Sequence, residues 1–467
     1  MKLRLALPAA VAAALVATSA AAAFTPTNAY YTKQWYLQQD QAFDAWPSVP
    51  TLQPVKVALI DSGVDCSLPD FANQIVAWKS FVGGNACFDS QGHGTIVAGE
   101  IAGALDQAGV VGLAYSAQLV VAKVVASDGT IPLKAEADAI RWAVQQGARV
   151  INMSFGAVRD PLNPEFDSYS KLEAQAVAYA VTHKAIVVAA VGNSDEAFAT
   201  PWPYASWPAA LPHVVGVGAL SRSGNVPSFS DEDPVFVDMA APGMDIFSTF
   251  PKLLTGAQSR CTPQGYTDCA SGDYQRPEGT SFAAPQVSAA AAVLLGVNPE
   301  LTPSQVTTIL ERNTDDVDPA TGCASCRLGR DMFSGWGSLD VQKAVAAVNQ
   351  GPLPPSDRFE PNDSVFQAHR LRGSRPVVGA TLDYWDDSKD FYRVKLARGQ
   401  RLLARVRARP TVSLILRRGS GAQLAHTTRG GQALHLAYRV RQTGWYYVEL
   451  RVAAGAGRYT LRLNESS

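Results

Sequence analysis

The segment Val55-Lys-Val-Ala-Leu-Ile-Asp-Ser-Gly63 carries the strongest indication of the fold class. Its apolar run Val55–Ile60 predicts a strand that is buried on both faces, which is typical of a parallel sheet covered by helices. Asp61 follows at the carboxyl end of that strand, where α/β sheets gather ligands and reactive groups. An Asp after an apolar strand is more often a turn residue, so the stretch predicts a fold first and a site only together with other motifs.

The same alternation of short apolar runs and longer helical patterns continues to about Asn349 and predicts an α/β unit with a mostly parallel sheet. Further buried strands are predicted at Gln118–Val125, Val150–Met153, Ala185–Ala190 and His213–Val217. Helices are predicted at Thr95–Gly103, Ala135–Gln146, Lys171–His183 and Ser281–Gly296.

This pattern ends at Gln350–Ser356, a Pro-rich segment that predicts a linker. Beyond it the period changes to two, which is typical of half-buried strands. The sequence therefore predicts a small all-β sandwich or jelly roll at residues 357–467, with strands at Phe391–Leu396, Leu402–Val406, Val412–Leu416 and Trp445–Leu450.

Charge divides the chain at the same place. The 467 residues are 47% hydrophobic and 17% charged with a net charge of -1, which excludes a disordered chain and a highly charged nucleic-acid binder. Residues 354–467 nevertheless hold 20 Lys and Arg, 18 of them Arg, against 9 Asp and Glu, whereas residues 1–353 hold 20 against 32. No specific nucleic-acid partner is expected, but two electrostatically different units share one chain.

The first residues predict export. Lys2 and Arg4 precede an uncharged Ala/Leu/Val run that ends at Ala21-Ala22-Ala23, which is typical of a cleaved signal peptide over residues 1–23. An N-terminal anchor is the alternative, and no other stretch is predicted to cross a membrane. We therefore expect a secreted protein, extracellular or periplasmic.

Six cysteines in an exported chain favour disulfides. They form three pairs of near neighbours: Cys66 with Cys87, Cys261 with Cys269, and Cys323 with Cys326. Fifteen pairings are formally open, so the neighbour pairing is a preference. A zinc site at Cys323–Cys326 would need a second pair of ligands, and none is close in sequence.

Two further motifs accompany Asp61. Gly92-His93-Gly94-Thr95 opens a predicted helix, and Gly279-Thr-Ser281-Phe-Ala-Ala-Pro285 places a hydroxyl at the head of an Ala-rich helix, where free backbone N–H groups can stabilise an oxyanion. Each motif alone has a simpler interpretation, an exposed His or a Ser N-cap. Together, with Asp, His and Ser in this chain order, they resemble the subtilase family of serine peptidases.

The resemblance covers residues 28–349, and we take 24–349 as the peptidase unit. It implies a subtilisin-like three-layer fold with a mostly parallel sheet. It continues through Asn152-Met-Ser-Phe-Gly156, Ala189-Ala-Val-Gly-Asn193, Ala240–Gly243 and Gly335–Asp340. The segment from Asn28 to Trp46 is similar to the N-terminal arm of thermitase-like members.

Site residues follow from the resemblance. It implies that Ser281 is the nucleophile, His93 the general base and Asp61 the residue that orients the imidazole. It implies that Asn193 binds the oxyanion and that the strand Ser154, Phe155 and Gly156 pairs with an extended peptide. Substrates would be proteins or peptides, and no cofactor is required for the chemistry.

A structural calcium ion is the one metal that the resemblance raises. Asp70 and Asp106 align with side-chain ligands of the family, and the turn from Asp106 to Val110 could add carbonyl oxygens. Ala104 stands where an asparagine ligand is usual. The alternative is that these acids are solvated in a surface loop.

Other departures from the family pattern concern activation and stability. Only about 30 residues separate the predicted cleavage site from the first strand, so no folding-assisting prodomain is expected there. Phe282 follows the nucleophile, where subtilisins usually have Met. Thr255–Tyr274 is an insertion, and a disulfide between Cys261 and Cys269 is predicted to close it. The sequence does not indicate how it affects substrate choice.

Residues 357–467 resemble the bacterial pre-peptidase C-terminal domain, a non-catalytic unit appended to secreted peptidases. The motifs that carry this likeness are Asp357–Ser364, Asp390–Val394, Gly399–Leu402 and Gly444–Val448. Its positive charge has three interpretations: binding to an anionic cell-envelope polymer, docking on the acidic peptidase unit, or Arg-rich codon usage on a solvated sheet.

The function expected is that of a secreted serine endopeptidase. A processing peptidase with narrow specificity and, from a different class, an inactive surface-binding protein are the alternatives.

Overall fold

The computed structural model describes residues 24–46, 53–194, 199–255, 274–275, 277–373, 375–385, 387–419, 421–427 and 431–466. The predicted signal peptide, most of the predicted insertion and its Cys261–Cys269 pair lie outside these residues. The helices are α1 Trp35–Gln39, α2 Ala42–Ala45, α3 His93–Ala102, α4 Leu133–Gln145, α5 Lys171–Thr182, α6 Ala284–Val297, α7 Pro303–Arg312 and α8 Val341–Gln350.

The strands fall into two groups on either side of residue 350. Those of the first group are β1 Lys56–Asp61, β2 Ile75–Ser80, β3 Gln118–Lys123, β4 Val150–Met153, β5 Ile186–Ala190, β6 Val214–Leu220, β7 Met239–Pro242, β8 Ser248–Thr249 and β9 Tyr274–Gln275. Those of the second group are β10 His369–Arg370, β11 Val377–Asp383, β12 Lys389–Leu396, β13 Arg401–Arg418, β14 Ala422–His426, β15 Gly431–Arg439, β16 Gly444–Ala454 and β17 Ala456–Ser466.

Seven parallel strands form the sheet of the first unit in the order β2-β3-β1-β4-β5-β6-β7. The predicted mostly parallel sheet is confirmed, and all five predicted strands lie in it. The prediction missed β2 and β7. Strand β2 alternates exposed and half-buried residues, with Trp78 54% exposed, so it lacks the continuous apolar run of a central strand.

Helices cover both faces of this sheet and make three layers. Val57 and Leu59 of β1 pack into one core with α3 and α6, whereas Ala58 and Ile60 pack into the other with α4 and α5. Helix α6 is Ala-rich and almost wholly buried. The segment Thr280–Val297 is apolar and long enough to cross a membrane, but 89% of it is buried inside the protein, so it is a core helix.

The second unit is the expected all-β sandwich. Strand β13 runs for 18 residues and joins its two halves, because its first half pairs with β15 and β17 and its second half with β14 and β16. The two predicted strands at 402–406 and 412–416 are therefore one strand, whose pairing register shifts between Arg407 and Val412. Alternate residues of β13, such as Leu402, Ala404 and Val406, fill the core.

The two units touch through charged and aromatic side chains. His213, from the loop before β6, lies 2.9 Å from Asp363 Oδ2 and 3.2 Å from Glu360 Oε2. Arg312 at the end of α7 bonds Asp383 at 2.9 Å, and the ring centres of Trp336 and Trp385 lie 5.0 Å apart across the contact. The C-terminal unit thus contacts the peptidase unit through acidic residues, so this contact does not use the positive charge that suggested docking, and that interpretation of the charge stays a prediction.

The candidate active site

The candidate site is built where β1 ends and α3 begins. Asp61 is the last residue of β1 and His93 the first of α3. The two side chains meet in a hydrogen bond of 2.8 Å between His93 Nδ1 and Asp61 Oδ1. The Asp61 side chain is 2% exposed and that of His93 13%, so the carboxylate is buried while the imidazole is close to solvent. Asp61 Oδ1 also accepts from the backbone N–H of Ser62 at 2.7 Å.

The glycines that flank His93 are needed for close packing. A Cβ at Gly94 would lie 2.2 Å from the carbonyl oxygen of Gly63, and one at Gly92 would lie 2.3 Å from the Phe250 ring. Gly92 also has a φ of +95°, which L side chains rarely adopt. Without these glycines α3 could not approach β1 closely enough for the hydrogen bond between His93 and Asp61.

Asp89 fixes this approach, and the sequence analysis missed it. This carboxylate is 2% exposed and accepts from Ser62 Oγ, from the backbone N–H of Gly92 and from both the N–H and the hydroxyl of Thr95, at 2.7 to 3.0 Å. It therefore satisfies the first turn of α3 and ties that turn to the residue after Asp61. An Asp four residues before the His motif, in a Gly- and Ser-containing loop, was a readable turn signal.

Lys123 supports the same loops from the neighbouring strand. It pairs in register with Asp61, and its ammonium donates to the carbonyl oxygens of Ser62 at 2.6 Å and Phe88 at 3.1 Å. Burial lowers the pKa of Lys123, while the charges of Asp89 and Asp61 act in the opposite direction. Sequence patterning assigned Lys123 only to a strand.

Ser281 lies in a single 3₁₀ turn, Thr280–Phe282, that leads into α6. Its hydroxyl donates to the carbonyl oxygen of Ser154 at 2.7 Å, so the predicted nucleophile and the predicted substrate-binding strand are adjacent. Phe282 is 1% exposed, and its ring centre lies 5.3 Å from that of His93. The structure thus gathers Asp61, His93, Ser281 and Ser154 in one place.

Asn193 is held by the residue before Ser281. Its Oδ1 accepts from both the backbone N–H and the hydroxyl of Thr280, each at 3.0 Å. These two bonds fix the orientation of the amide, so its Nδ2 is left as the donor that faces away from Thr280. A Cβ at Gly279 would lie 3.5 Å from this nitrogen, so Asn193 Nδ2 lies beside the backbone that leads to Ser281.

The strand Ser154, Phe155 and Gly156 continues from β4 past the site. Beyond it, the backbone of Ala157 pairs with Trp207 in an antiparallel bridge. A buried carboxylate, Asp231, lies behind this region and accepts from Ser194 at 3.1 Å and Ser206 at 3.4 Å. The motifs at residues 152–156 and 189–193 contain only uncharged residues, so they did not predict this carboxylate.

The predicted calcium ligands are placed differently from each other. Asp70 is buried, and its Oδ1 accepts from the N–H of Val110 at 2.9 Å. Asp106 is exposed and accepts from the N–H of Ala108 at 3.0 Å within its own turn.

Beside Asp70, three main-chain carbonyl oxygens converge on the side chain of Asn28, which no sequence motif predicted to be a ligand. The amide nitrogen of Asn28 lies 2.8 Å from Ala104 O, 2.5 Å from Ala108 O and 2.9 Å from Val110 O. An amide nitrogen has only two hydrogens for three acceptors. Asn28 Oδ1 is buried without a partner among the described residues.

This arrangement fits a hard cation. With the amide turned over, Asn28 Oδ1 would join the three carbonyl oxygens in an all-oxygen set, which is the donor chemistry that Ca²⁺ prefers.

Two disulfides are present in the described residues. Cys66 pairs with Cys87, and Cys323 with Cys326. The first closes the loop between β1 and α3, so it lies on the same segment as Asp89. Both match the predicted neighbour pairing.

Comparison with known proteins gives the class. The sequence model of the Subtilase family matches residues 53–337, which is more than half of the chain. The chain belongs to the subtilase family, and its enzyme class is that of the subtilisin-like serine endopeptidases, which are hydrolases.

Individual relatives agree with this class. Subtilisin DY from Bacillus licheniformis is 33% identical over 62% of this chain and 90% of its own length. Subtilisin E from Bacillus subtilis is 34% identical over 62% of this chain and 65% of its own length. A probable subtilase-type serine protease from Deinococcus radiodurans is 31% identical over 66% of this chain, and the match covers 42% of that protein. The chain thus spans less than two thirds of the length of two of these three relatives.

Proposed function

We propose that the protein is a secreted serine endopeptidase that hydrolyses peptide bonds through Asp61, His93 and Ser281 and an acyl-enzyme. The observation that carries the proposal is the 2.8 Å hydrogen bond between His93 Nδ1 and Asp61 Oδ1. In this subtilase the Ser281 hydroxyl bonds the backbone of Ser154, directly after strand β4, which lies beside β1. This bond leaves His93 Nε2 as the nitrogen that takes a proton.

The chemistry follows from these positions. Ser281 Oγ attacks the carbonyl carbon of the scissile bond while His93 Nε2 takes its proton, and Asp61 stabilises the resulting imidazolium without being protonated. Asn193 Nδ2 and the backbone N–H of Ser281 bind the oxyanion of the tetrahedral intermediate. The C–N bond breaks when His93 returns the proton to the leaving amine, and a water molecule then hydrolyses the ester by the same route.

Substrates are extended segments of proteins or peptides. Ser154, Phe155 and Gly156 offer backbone groups that can add such a segment as a further strand. We propose cleavage after apolar or aromatic residues, because Phe155 and the strand residues Ala189 to Val191 are uncharged. A peptide library in which cleavage occurs mainly after Lys or Arg would contradict this proposal. It would instead indicate that Asp231 recognises the substrate side chain before the cleaved bond.

The experiment that tests the activity is labelling with a fluorophosphonate probe, together with turnover of a protein substrate. Ser281→Ala should abolish labelling, whereas Ser223→Ala, a change at an exposed serine, should leave it intact. An inactive surface-binding protein would not be labelled in either form. A narrow-specificity processing peptidase would be labelled but would cleave few members of the library.

A structural calcium ion is part of the proposal. Asn28, Asp70 and the carbonyl oxygens of Ala104, Ala108 and Val110 would hold it, and it would stabilise the fold without entering the reaction. Chelation by EDTA should lower the melting temperature, and Ca²⁺ should restore it. Asn28→Ala should remove this calcium dependence, and an unchanged melting curve with EDTA would contradict the site.

Secretion and domain organisation complete the proposal. The two disulfides support an oxidising, extracellular or periplasmic compartment. We propose residues 1–23 as signal peptide, 24–349 as peptidase unit, 350–356 as linker and 357–467 as a non-catalytic unit of the pre-peptidase C-terminal type. A chain that ends at Asn349 should still hydrolyse small peptides, and loss of that activity would reject these bounds. We propose an anionic cell-envelope polymer as the partner of the last unit.

A further inference from the structure

One face of the C-terminal sandwich is lined by arginine. Strands β15, β13, β17 and β11 lie side by side, and their outward positions alternate with residues of the core. Six exposed arginines and one histidine at these outward positions are here called the arginine face: Arg401, Arg405, Arg407, His435, Arg439, Arg458 and Arg462.

Register places these side chains directly opposite one another. Arg405 of β13 pairs with His435 of β15 on one side and with Arg462 of β17 on the other, and Arg401 pairs with Arg439. Like charges that are directly opposite destabilise a sheet. Within the described part of the chain, none of the six arginines of this face forms an ion pair with an acidic side chain.

The acids of the unit lie elsewhere. Seven of the nine acidic residues after residue 353 fall between Asp357 and Asp390. Of these, Glu360, Asp363 and Asp383 bond His213 and Arg312 of the peptidase unit. Codon usage accounts for a high number of arginines, but it does not account for their alignment in register on adjacent strands while seven of the nine acids lie within residues 357–390.

The shape and composition of the arginine face limit the classes of ligand that fit it. It is part of a sheet and has no enclosed pocket, so it fits an extended, repeating anion better than a single small one. None of the outward positions on the four strands is Phe, Tyr or Trp, so the face lacks the row of large aromatic rings on which single-stranded nucleic acids stack. Apolar anchors for a membrane are also few, with Val377 at one edge.

We infer that the arginine face binds an acidic polysaccharide, a chain that carries carboxylate or sulfate groups. Guanidinium groups bind such anions through paired N–H donors, and several weak contacts along one polymer add up to useful affinity. The peptidase would thereby be retained on an anionic surface while its active site stays in the other unit. This inference does not depend on the catalytic roles proposed above.

The test compares two full-length double variants with equal loss of charge. Arg405→Gln/Arg462→Gln removes the central opposed pair, whereas Arg372→Gln/Arg418→Gln removes two arginines outside the face. Heparin serves as the sulfated polysaccharide, polygalacturonate as the carboxylated one and neutral dextran as the blank. We expect the face variant to bind both acidic polymers about tenfold more weakly at 0.1 M NaCl and with a smaller salt dependence, and the control variant to bind as the wild type does.

Melting curves exclude unfolding as the cause, because both variants should melt at or above the wild-type temperature once like charges are removed. Equal weakening in the two variants would overturn the inference, since only net charge would then matter. Binding to a DNA duplex or to anionic lipid vesicles that is as tight as binding to heparin, and is lost in the face variant, would overturn the assignment to polysaccharide. Retention on neutral dextran would overturn the electrostatic basis.

Discussion

The peptidase unit and the C-terminal sandwich use charge in opposite ways. In the peptidase unit the charged groups near the site are few and buried, and hydrogen bonds fix their orientation. Asp89, for example, is 2% exposed and accepts five hydrogen bonds. On the arginine face of the sandwich they are many and exposed, and the arginines lack ion-pair partners within the described residues. A catalytic site thus requires side chains at fixed positions, whereas a surface that binds a polymer requires only many exposed charges of one sign.

The largest effect is expected where geometry is most demanding. Asn193→Ala should lower kcat by about 100- to 1,000-fold, a magnitude taken over from the equivalent donor of a subtilisin. KM should change little, because the amide contributes to the transition state and not to ground-state binding. Steady-state kinetics on one peptide decide this, and a raised KM with unchanged kcat would reassign Asn193 to substrate binding.

Asp89→Asn should reduce kcat less than Asn193→Ala does. The amide that replaces the carboxylate presents an N–H to the N–H and hydroxyl groups of Thr95, so a buried donor loses its acceptor at a cost of about 1–3 kcal/mol. We expect a lower melting temperature and a lower kcat, because α3 carries His93. Asp128→Asn is the control: this exposed carboxylate bonds the backbone and hydroxyl of Thr130 in a similar local pattern. Equal effects of the two changes would contradict a positioning role for Asp89.

The contact between the two units should depend on pH. Burial alone would lower the pKa of His213, but the carboxylates of Asp363 and Glu360 outweigh it and hold that pKa well above its usual value. Burial, together with the charge of Glu360, also raises the pKa of Asp387 and Asp390.

Since Asp363 and Glu360 reach His213 from the other unit, His213 binds its proton more tightly when the units are docked, so docking weakens as pH rises through the raised pKa of His213. The contribution of His213 is fully present below about pH 6.5 and is lost as pH rises through its raised pKa. Proteolysis at the linker 350–356 should therefore accelerate several-fold between pH 6 and pH 10. His213→Gln should give fast cleavage already at pH 6, whereas His183→Gln, at an exposed histidine, should not. A flat pH profile in the wild type would contradict the role of His213.

The smallest effect concerns oxidation. Phe282 is packed against His93 and offers no thioether, so peroxide should leave most of the activity intact. Phe282→Met should introduce a rapid loss of activity in the same assay. Inactivation of the wild type as fast as that of the variant would show that oxidation acts at another residue.

Motifs in the sequence predicted the α/β architecture, the central strands and the residues Asp61, His93, Ser281 and Asn193, whose roles stay predictions. Such residues are readable because each sits in a short motif whose neighbours are restricted by packing, as Gly92 and Gly94 are around His93. The all-β unit was also predicted, but β13 was read as two strands, because a shift in register within one long strand looks in sequence like a turn.

The features that were readable from the sequence are local: the periods of its strands and helices, the motifs at strand ends and the excess of arginine after residue 353. Which distant groups meet became visible only in the folded protein. Asn28 reaches three carbonyl oxygens near residue 104, Asp89 joins two loops, and His213 enters an acidic cluster some 150 positions later in the chain. Contacts of this kind carry no local pattern, because their geometry is set by the packing of whole layers. In the same way, the number of arginines is readable from the sequence, but only the strand register shows that six of them lie on one face of the sheet.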